Sequence, residues 1–465
     1  MSNKDKKAKK QLWHGRFRER LDDAVSDYTA SINIDQRLGP YDIQGTRAHA
    51  RMLARQDILS EEDKKKILEG LEHIDNLLKS GKLPLDSGLE DIHMNLESSL
   101  TSLVGDAGAR VHTGRSRNDQ VSTDMKLFCL NAAQNWDQLI QNLQKSLVDQ
   151  AEKLQEEIFP AWTHLQAAQP ISWGHYLLAL CSMFGRDHSR LANYSLLHSV
   201  SPLGAGALAG STLPLDPEKS AKELGFNAKF LNSYDVAGDR DFVLELLQIG
   251  SQLMIHVSRL AEDLIYLASS AVGWIELPDA LCTGSSMMPQ KKNPDVLELS
   301  RGKTASVLGH THSVATLLKG LPTSYHRDLQ EDKVHLFSVT DIVESTLSVL
   351  PTVIGHFSIN PSRYQDLFDQ AFLQATDLAD YLVCRGVPFR KAHKSVGELV
   401  TLCLDRGITF RDLTIEDLQK WHPVCDKEVM EVLDSQSVLQ RRKHSGSAGL
   451  ASTKQQIKYW KKKLA

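Results

Sequence analysis

One stretch of this 465-residue chain concentrates groups able to move protons. Thr283-Gly284-Ser285-Ser286-Met287-Met288-Pro289-Gln290-Lys291-Lys292-Asn293-Pro294 sets hydroxyls and lysines among chain breakers. Its end reads as a helix start, with Asn293 as cap, Pro294 at the first helical position and Asp295 following, so Ser285 and Lys291 lie on the approach to a positive helix end. A second segment, His112-Thr113-Gly114-Arg115-Ser116-Arg117-Asn118-Asp119, places two guanidiniums beside hydroxyl and amide donors where another helix begins. That is suited to a carboxylate, or else is a capped helix with solvated arginines. A third, Thr163-His164-Leu165-Gln166, offers an imidazole between polar donors just after Pro160. A fourth, Tyr325-His326-Arg327-Asp328-Leu329-Gln330-Glu331-Asp332-Lys333, gathers donors and charges before a further helix and by itself reads as a solvated cap. Residue chemistry alone favours His164 or Lys291 as a base, because a serine hydroxyl ionises far above neutral pH unless a dry, cationic site holds its alkoxide.

Long helices must position these segments. Between Asp119 and Ile158 there is no Gly or Pro, and Val121, Met125, Phe128, Ala132, Trp136, Leu139, Leu143 and Leu147 recur at helical spacing. Such a rod of about 60 Å exceeds an ordinary globular helix. Asp241 to Val272 carries two apolar stripes, one through Leu246, Ile249, Leu253, Val257 and Leu260, the other through Leu247, Met254 and Ala261, which implies burial on more than one side. Helical stretches follow near 295–319 and from about 331 to 356, where Pro351 predicts a kink or break. Breaker-rich connections lie at 201–217, 273–294 and 320–330, and no alternating run of useful strand length stands out. The expected fold is all-α: a long-helix bundle core over 113–361, with smaller helical domains at 1–112 and 362–465.

Composition narrows the classes. With 41% hydrophobic residues there is material for a large core. A net charge of −4 gives no global basic field of the kind nucleic-acid binders carry. The first ten residues hold five lysines and almost nothing apolar, which reads as a solvated tail and not a secretory signal. No run approaches the roughly 18 to 20 consecutive apolar residues of a membrane span. The six cysteines have no metal-ligand spacing, as for reduced thiols in a cytosol, and Cys282 reads as a small apolar loop residue. Two motifs mislead. Gly302-Lys303-Thr304 lacks the first glycine of a phosphate loop, and Gly204-Ala205-Gly206-Ala207-Leu208-Ala209 matches a dinucleotide fingerprint without the flanking strand and helix. No metal or cofactor is expected.

Taken together, these segments resemble the fumarase/aspartase superfamily and, within it, the family of argininosuccinate lyase and delta-crystallin. Gly284 to Pro294 matches the superfamily motif. The narrower likeness rests on Leu12-Trp13-His14-Gly15-Arg16-Phe17, Glu90-Asp91-Ile92-His93, His112 to Gln120, Thr163 to Pro170, Asp239-Arg240-Asp241-Phe242 and Gln330-Glu331-Asp332-Lys333, and it runs from about residue 12 to the C-terminus. The resemblance implies β-elimination of argininosuccinate to arginine and fumarate, with Ser285 as general base and His164 as general acid or its assistant. Glu298 would raise the basicity of His164, and Lys291 would be a further active-site group. Ser31, Asp91, Asn118, Thr163, Tyr325, Gln330 and Lys333 would contact substrate, as would Arg117. It also implies a cytoplasmic homotetramer in which each active site draws on three subunits, without cofactor, nucleic acid or membrane. His14, Trp162 and His326 depart from the family's usual glycine, tyrosine and asparagine, and Tyr234 to Gly238 is an unusual version of its segment, which touches affinity and loop packing more than reaction type. The alternatives are a superfamily lyase acting on adenylosuccinate, aspartate or malate, a non-catalytic crystallin-like protein, or a helical scaffold for a partner protein.

Overall fold

The computed structural model describes residues 21–465. The lysine-rich start and the Leu12 to Phe17 motif lie outside the described residues. Contacts divide the chain into two units: Met1–Asn135 with Leu191–Ile249 and Leu308–Asp341, and Trp136–Arg190 with Gly250–Val307 and Ile342–Ala465.

In the first unit, α1 (Gly39–Arg55), α2 (Glu61–Lys79) and α3 (Ile92–Val104) enclose Ile43, Leu53, Ile67, Leu71, Ile74 and Leu100, each at most 2% exposed. Ser60 caps α2 by accepting from the Asp63 N–H. The first expected rod is α4 (Arg117–Lys153), 37 residues long. It stops short of Ile158 because Ile158–Thr163 (β1) pairs antiparallel with Gln166–Ser172 (β2). This hairpin corrects the expectation of no useful strand. Pro160 faces Pro170 across it and its register shifts between Ala161 and Trp162, so its sequence never shows a clean alternation.

The remaining long helices are α5 (Trp173–His198), α6 (Asp241–Ala268), α7 (Asp295–Leu318) and α8 (Asp332–His356), with the small hairpin β3 (Thr283–Gly284) and β4 (Lys292–Asn293) leading into α7. Along α6, Leu246, Leu247, Leu253, Met254, Val257, Leu260 and Ala261 are all 0% exposed, which accounts for both of its stripes. Pro351 lies inside α8 without ending it. The proline deletes one backbone donor, but Leu347, Leu350, Val353 and Ile354 around it are at most 1% exposed, and their burial offsets the loss. The helical run Arg327–His356 is long and apolar enough to cross a membrane, yet half of its most apolar stretch is buried within the protein. Gly302-Lys303-Thr304 is helix interior, with the Thr304 hydroxyl donating to the Met254 carbonyl at 3.0 Å. In the second unit, α9 (Ala375–Cys384) and α10 (Phe389–Arg406) share a core with Phe410, Leu418 and Val429.

The start of α4 is unusual. Every residue from Asp119 to Cys129 is buried, six of them polar or charged. Buried polar groups need partners, and for Asp119, Ser122 and Lys126 these come from other stretches of the first unit. The Asp119 carboxylate, 0% exposed, accepts the Ser116 N–H at 2.9 Å and the Gly204 and Gly206 N–H groups at 3.0 and 2.9 Å. Ser122 donates to the Val236 carbonyl, and the Lys126 ammonium lies 3.1 Å from Asp239 and 5.0 Å from the Phe242 ring centre. Gly204 and Gly206 take φ of +103° and +63°, and a Cβ on either would come within 2.7 Å of Pro217 or the Gly210 carbonyl. Only glycine lets this loop turn back onto the carboxylate.

Two consequences are measurable. Asp119→Ala leaves three buried N–H groups without an acceptor and should lower unfolding stability by about 3 kcal/mol or more; a shift in urea midpoint equivalent to less than 1 kcal/mol would refute the clamp. His49 is wholly buried, its Nε2 is 2.9 Å from the Thr113 carbonyl, and burial followed by the nearby Arg115 charge lowers its pKa from 6.5 to about 3. Folded protein therefore keeps His49 neutral where unfolded chain takes up a proton, so stability falls as pH drops from 6.5 towards 3, by up to about 1.4 kcal/mol per pH unit. His49→Gln should flatten that slope; unfolding curves that stay parallel to wild type across the window would show another group responsible.

Candidate active site

The first unit contains a cavity of about 500 Å³ lined by Asp91, Glu97, His112, Arg117, Asn118 and Tyr325, with Glu90 and Arg327 at its wall. Local structure places each group. Asp91 caps α3, its Oδ1 accepting the Met94 N–H at 2.6 Å while its Oδ2 lies 3.2 Å from Arg117 Nε. Ser116 caps α4: its Oγ accepts the Asn118 N–H and the Asp119 carboxylate accepts the Ser116 N–H, which together bring Arg117 and Asn118 onto the first turn. The Asn118 amide donates to the Ala207 carbonyl at 3.1 Å, fastening the same loop that Asp119 holds.

Ser31 is nearby in chain terms only through its backbone, whose N–H donates to the Glu90 carbonyl at 2.8 Å. Its hydroxyl donates to Asp35, which also accepts the Ile92 N–H, so the turn before α3 is pinned from two sides. Arg327 pairs with Glu90 at 2.6 Å and donates to the Thr29 carbonyl. Burial pushes the Tyr325 hydroxyl pKa up. Burial, then Arg115 and Arg117, lower that of His112 to about 4, so its imidazole is neutral at physiological pH. Gln330 is half-buried at the end of a short 3-10 turn. Lys333 is 5% exposed, its ammonium 3.1 Å from Asp332, which also holds the buried Arg240 at 2.7 Å.

Not every group follows the sequence reading. Of the two guanidiniums before α4, only Arg117 faces the cavity; Arg115 is 9% exposed and donates to the Thr46 hydroxyl at 2.9 Å, a structural anchor beneath the site. Spacing could not separate them, since both flank Ser116. Glu97 is a cavity residue that the sequence reading did not name, while His112 and Arg327 appeared there only within the candidate segments, without a role. Glu97 lies six residues beyond Asp91, a step that at about 100° per residue puts it off the Asp91 face of α3, so helical spacing gave no signal for it.

The second unit carries the others. Thr163 ends the first strand of the β1–β2 hairpin, and His164 and Leu165, with φ of +56° and +57°, are the two left-handed residues of its tight turn. Both side chains are exposed at its tip. Ser285 follows β3, and its Oγ accepts the N–H groups of Met287 at 3.3 Å and Met288 at 3.0 Å. Lys291 is exposed just before β4. Asn293 does not cap α7, because it pairs with Thr283 in the hairpin; the Pro294 carbonyl accepts the Glu298 N–H instead, and the helix starts one residue later than expected. The Thr283 hydroxyl is bonded to Asp295. Glu298 is exposed on the first turn. Among the described residues, no hydrogen bond or ion pair joins Ser285, His164, Lys291 and Glu298 to one another. Groups of three or more metal-ligating side chains are represented by Asp42, His93 and Asp124, all buried, with ligand atoms within 4.8 Å.

Known proteins supply the comparison. The family described as Lyase matches residues 15–309, and the argininosuccinate lyase C-terminal family matches residues 372–440. Argininosuccinate lyase of Herminiimonas arsenicoxydans is 44% identical over 98% of this chain and 98% of its own length. That of Oleidesulfovibrio alaskensis is 46% identical over 96% and 97%. Among solved structures, an EDDS lyase variant with bound fumarate superposes with a TM-score of 0.80 at 26% identity, covering 94% of this chain and 88% of that one. The mostly helical fold, the motif order and these relatives agree, and the chain belongs to the argininosuccinate lyase family of carbon–nitrogen lyases within the fumarase/aspartase superfamily.

Proposed function

We propose that this chain cleaves argininosuccinate to arginine and fumarate as part of arginine formation, with Ser285 as the base. The observation that carries the residue assignment is the pair of backbone N–H groups, from Met287 and Met288, already directed at Ser285 Oγ. Serine is a poor base because its alkoxide is unstable. Hydrogen bonds donated to the charged form lower its energy, and Lys291 in the same loop adds positive charge.

The reaction has two demands. A weakly acidic proton leaves a carbon beside a carboxylate, and its electron pair spreads onto that carboxylate; the pair then forms the alkene of fumarate as the carbon–nitrogen bond breaks and the departing guanidinium nitrogen takes a proton. Ser285 Oγ accepts the first proton, and His164, made more basic by Glu298, supplies or relays the second. The cavity of the first unit suits the substrate's mixed charge. Arg117, Asn118 and Tyr325 offer donors for carboxylates, while Asp91 and Glu97 offer acceptors for cationic nitrogen. Thr163, Ser31, Gln330 and Lys333 are assigned to substrate contact by the family likeness, and Lys333, being buried against Asp332, contributes charge and position more than reach.

The absence of any bond among Ser285, His164, Lys291 and Glu298 fits a homotetramer whose active sites each collect segments from three subunits. A reducing cytoplasm suits six cysteines that are all free.

The test is fumarate release, followed by ultraviolet absorbance, with argininosuccinate, adenylosuccinate, aspartate and malate as parallel substrates. Selective release with arginine as co-product is expected; turnover of another substrate would move the chain within the superfamily, and silence with all four would favour a crystallin-like protein. Ser285→Ala should lower kcat by at least about a thousandfold with the oligomer intact by sedimentation. Residual activity above a tenth of wild type would exclude Ser285 as the base.

A further inference from the structure

Behind Arg117 lies a buried chain of polar contacts that no catalytic assignment uses. Arg117 Nη1 donates to Gln120 Oε1 at 2.5 Å, and Gln120 Nε2 donates to Asp42 Oδ1 at 2.5 Å. Gln120 is 3% exposed and Asp42 3%. Asp42 Oδ1 lies 3.5 Å from His93 Nδ1, and the same nitrogen lies 3.3 Å from Asp124 Oδ2. His93 and Asp124 are each 1% exposed.

The chemistry of this chain has one consistent polarity. Burial opposes ionisation of Asp42, but His93, then Arg115 and Gln120, outweigh it and hold its carboxyl well below the usual range. Burial, reinforced by Asp42, pushes the Asp124 pKa well up, in the opposite direction. Asp42 is thus an anion that can only accept, and Arg117 is a guanidinium that can only donate. The Gln120 carboxamide serves both at once, and only in one orientation, with nitrogen towards Asp42 and oxygen towards Arg117. Each bond enforces the other. Arg117's remaining edges meet Asp91 at 3.2 Å and, more distantly, Glu97 at 3.9 Å, both at the cavity.

We propose that Gln120 is a positioning residue for substrate binding, an amide bridge that fixes the Arg117 guanidinium in the cavity from the buried Asp42–His93–Asp124 base. This rests on the reading of Arg117 as a substrate-binding group. Without the bridge the guanidinium swings between Asp91 and Glu97 and must be ordered each time substrate arrives. The loss falls on binding in both ground and transition states, so KM rises while kcat holds.

The test is a double-mutant cycle on the full-length protein with argininosuccinate as substrate: wild type, Gln120→Met, Arg117→Ala and the double variant. Gln120→Met should raise KM about tenfold with kcat within about twofold, and should change nothing further in the Arg117→Ala background. An equal effect in both backgrounds, or a wild-type KM for Gln120→Met, would overturn the proposal. Full activity in Arg117→Ala would instead remove Arg117 from the substrate site, and a crystal structure of the Gln120 variant separates the two failures: an unmoved guanidinium refutes the bridge itself. If Gln120→Met does not fold, Gln120→Asn serves, since it keeps a buried amide but is one methylene too short to reach both partners.

Discussion

The first unit is organised around a carboxylate with no access to water. Asp119 sits at 0% exposure and satisfies the backbone of the turn before it and of a glycine loop more than eighty residues later in the chain. Burial pushes its pKa up and the backbone N–H donors pull it back, so its stability as an anion depends on those donors being in place. The dependence is mutual: Arg117 and Asn118 occupy the first turn because Ser116 and Asp119 cap it, and Asn118 in turn grips the loop through Ala207. A whole helical half-turn of cavity residues thus inherits its position from one buried acid.

The candidate catalytic groups are held on opposite terms. Ser31, Asp91, Arg117, Asn118 and Lys333 are engaged in hydrogen bonds or ion pairs that set their geometry within one unit. His164, Lys291 and Glu298 are exposed, and Ser285 is held only by the N–H groups of its own loop. For His164 the positioning is done by the backbone. Two consecutive non-glycine residues with positive φ each cost roughly 1 kcal/mol, and the cross-strand pairing of β1 with β2 overrides that preference. The result is a backbone that carries the His164 imidazole, exposed, at the tip of the hairpin.

Much of this was legible in the sequence because long helices are periodic. The stripes of α6 follow directly from the spacing of Leu246, Leu253 and Leu260, and the His112 to Asp119 segment reads as leading into α4, which begins at Arg117. The β1–β2 hairpin was not legible, since two prolines and a bulge blur a short alternation, and Pro351 does not break its helix because local propensity gives way to a packed helix face. Motif order led to Ser285, His164 and Arg117 through family likeness; residue chemistry alone ranked Ser285 below His164. Nothing local distinguished Arg115 from Arg117, or joined Asp42, His93, Asp124 and Gln120, because those partners are brought together only by the packing of α1, α3 and α4.

The glycine loop at 204–206 also has a bearing on what this protein ignores. Loops of that composition bind phosphates by turning successive backbone N–H groups towards an external anion. Here the Gly204 and Gly206 donors are already spent on Asp119. The chain carries its own anion as a permanent occupant, at an effective concentration that no free solute can match. A nucleotide or inorganic phosphate arriving from solution would have to displace a covalently tethered competitor from a dry pocket, so the loop is insulated from external phosphate.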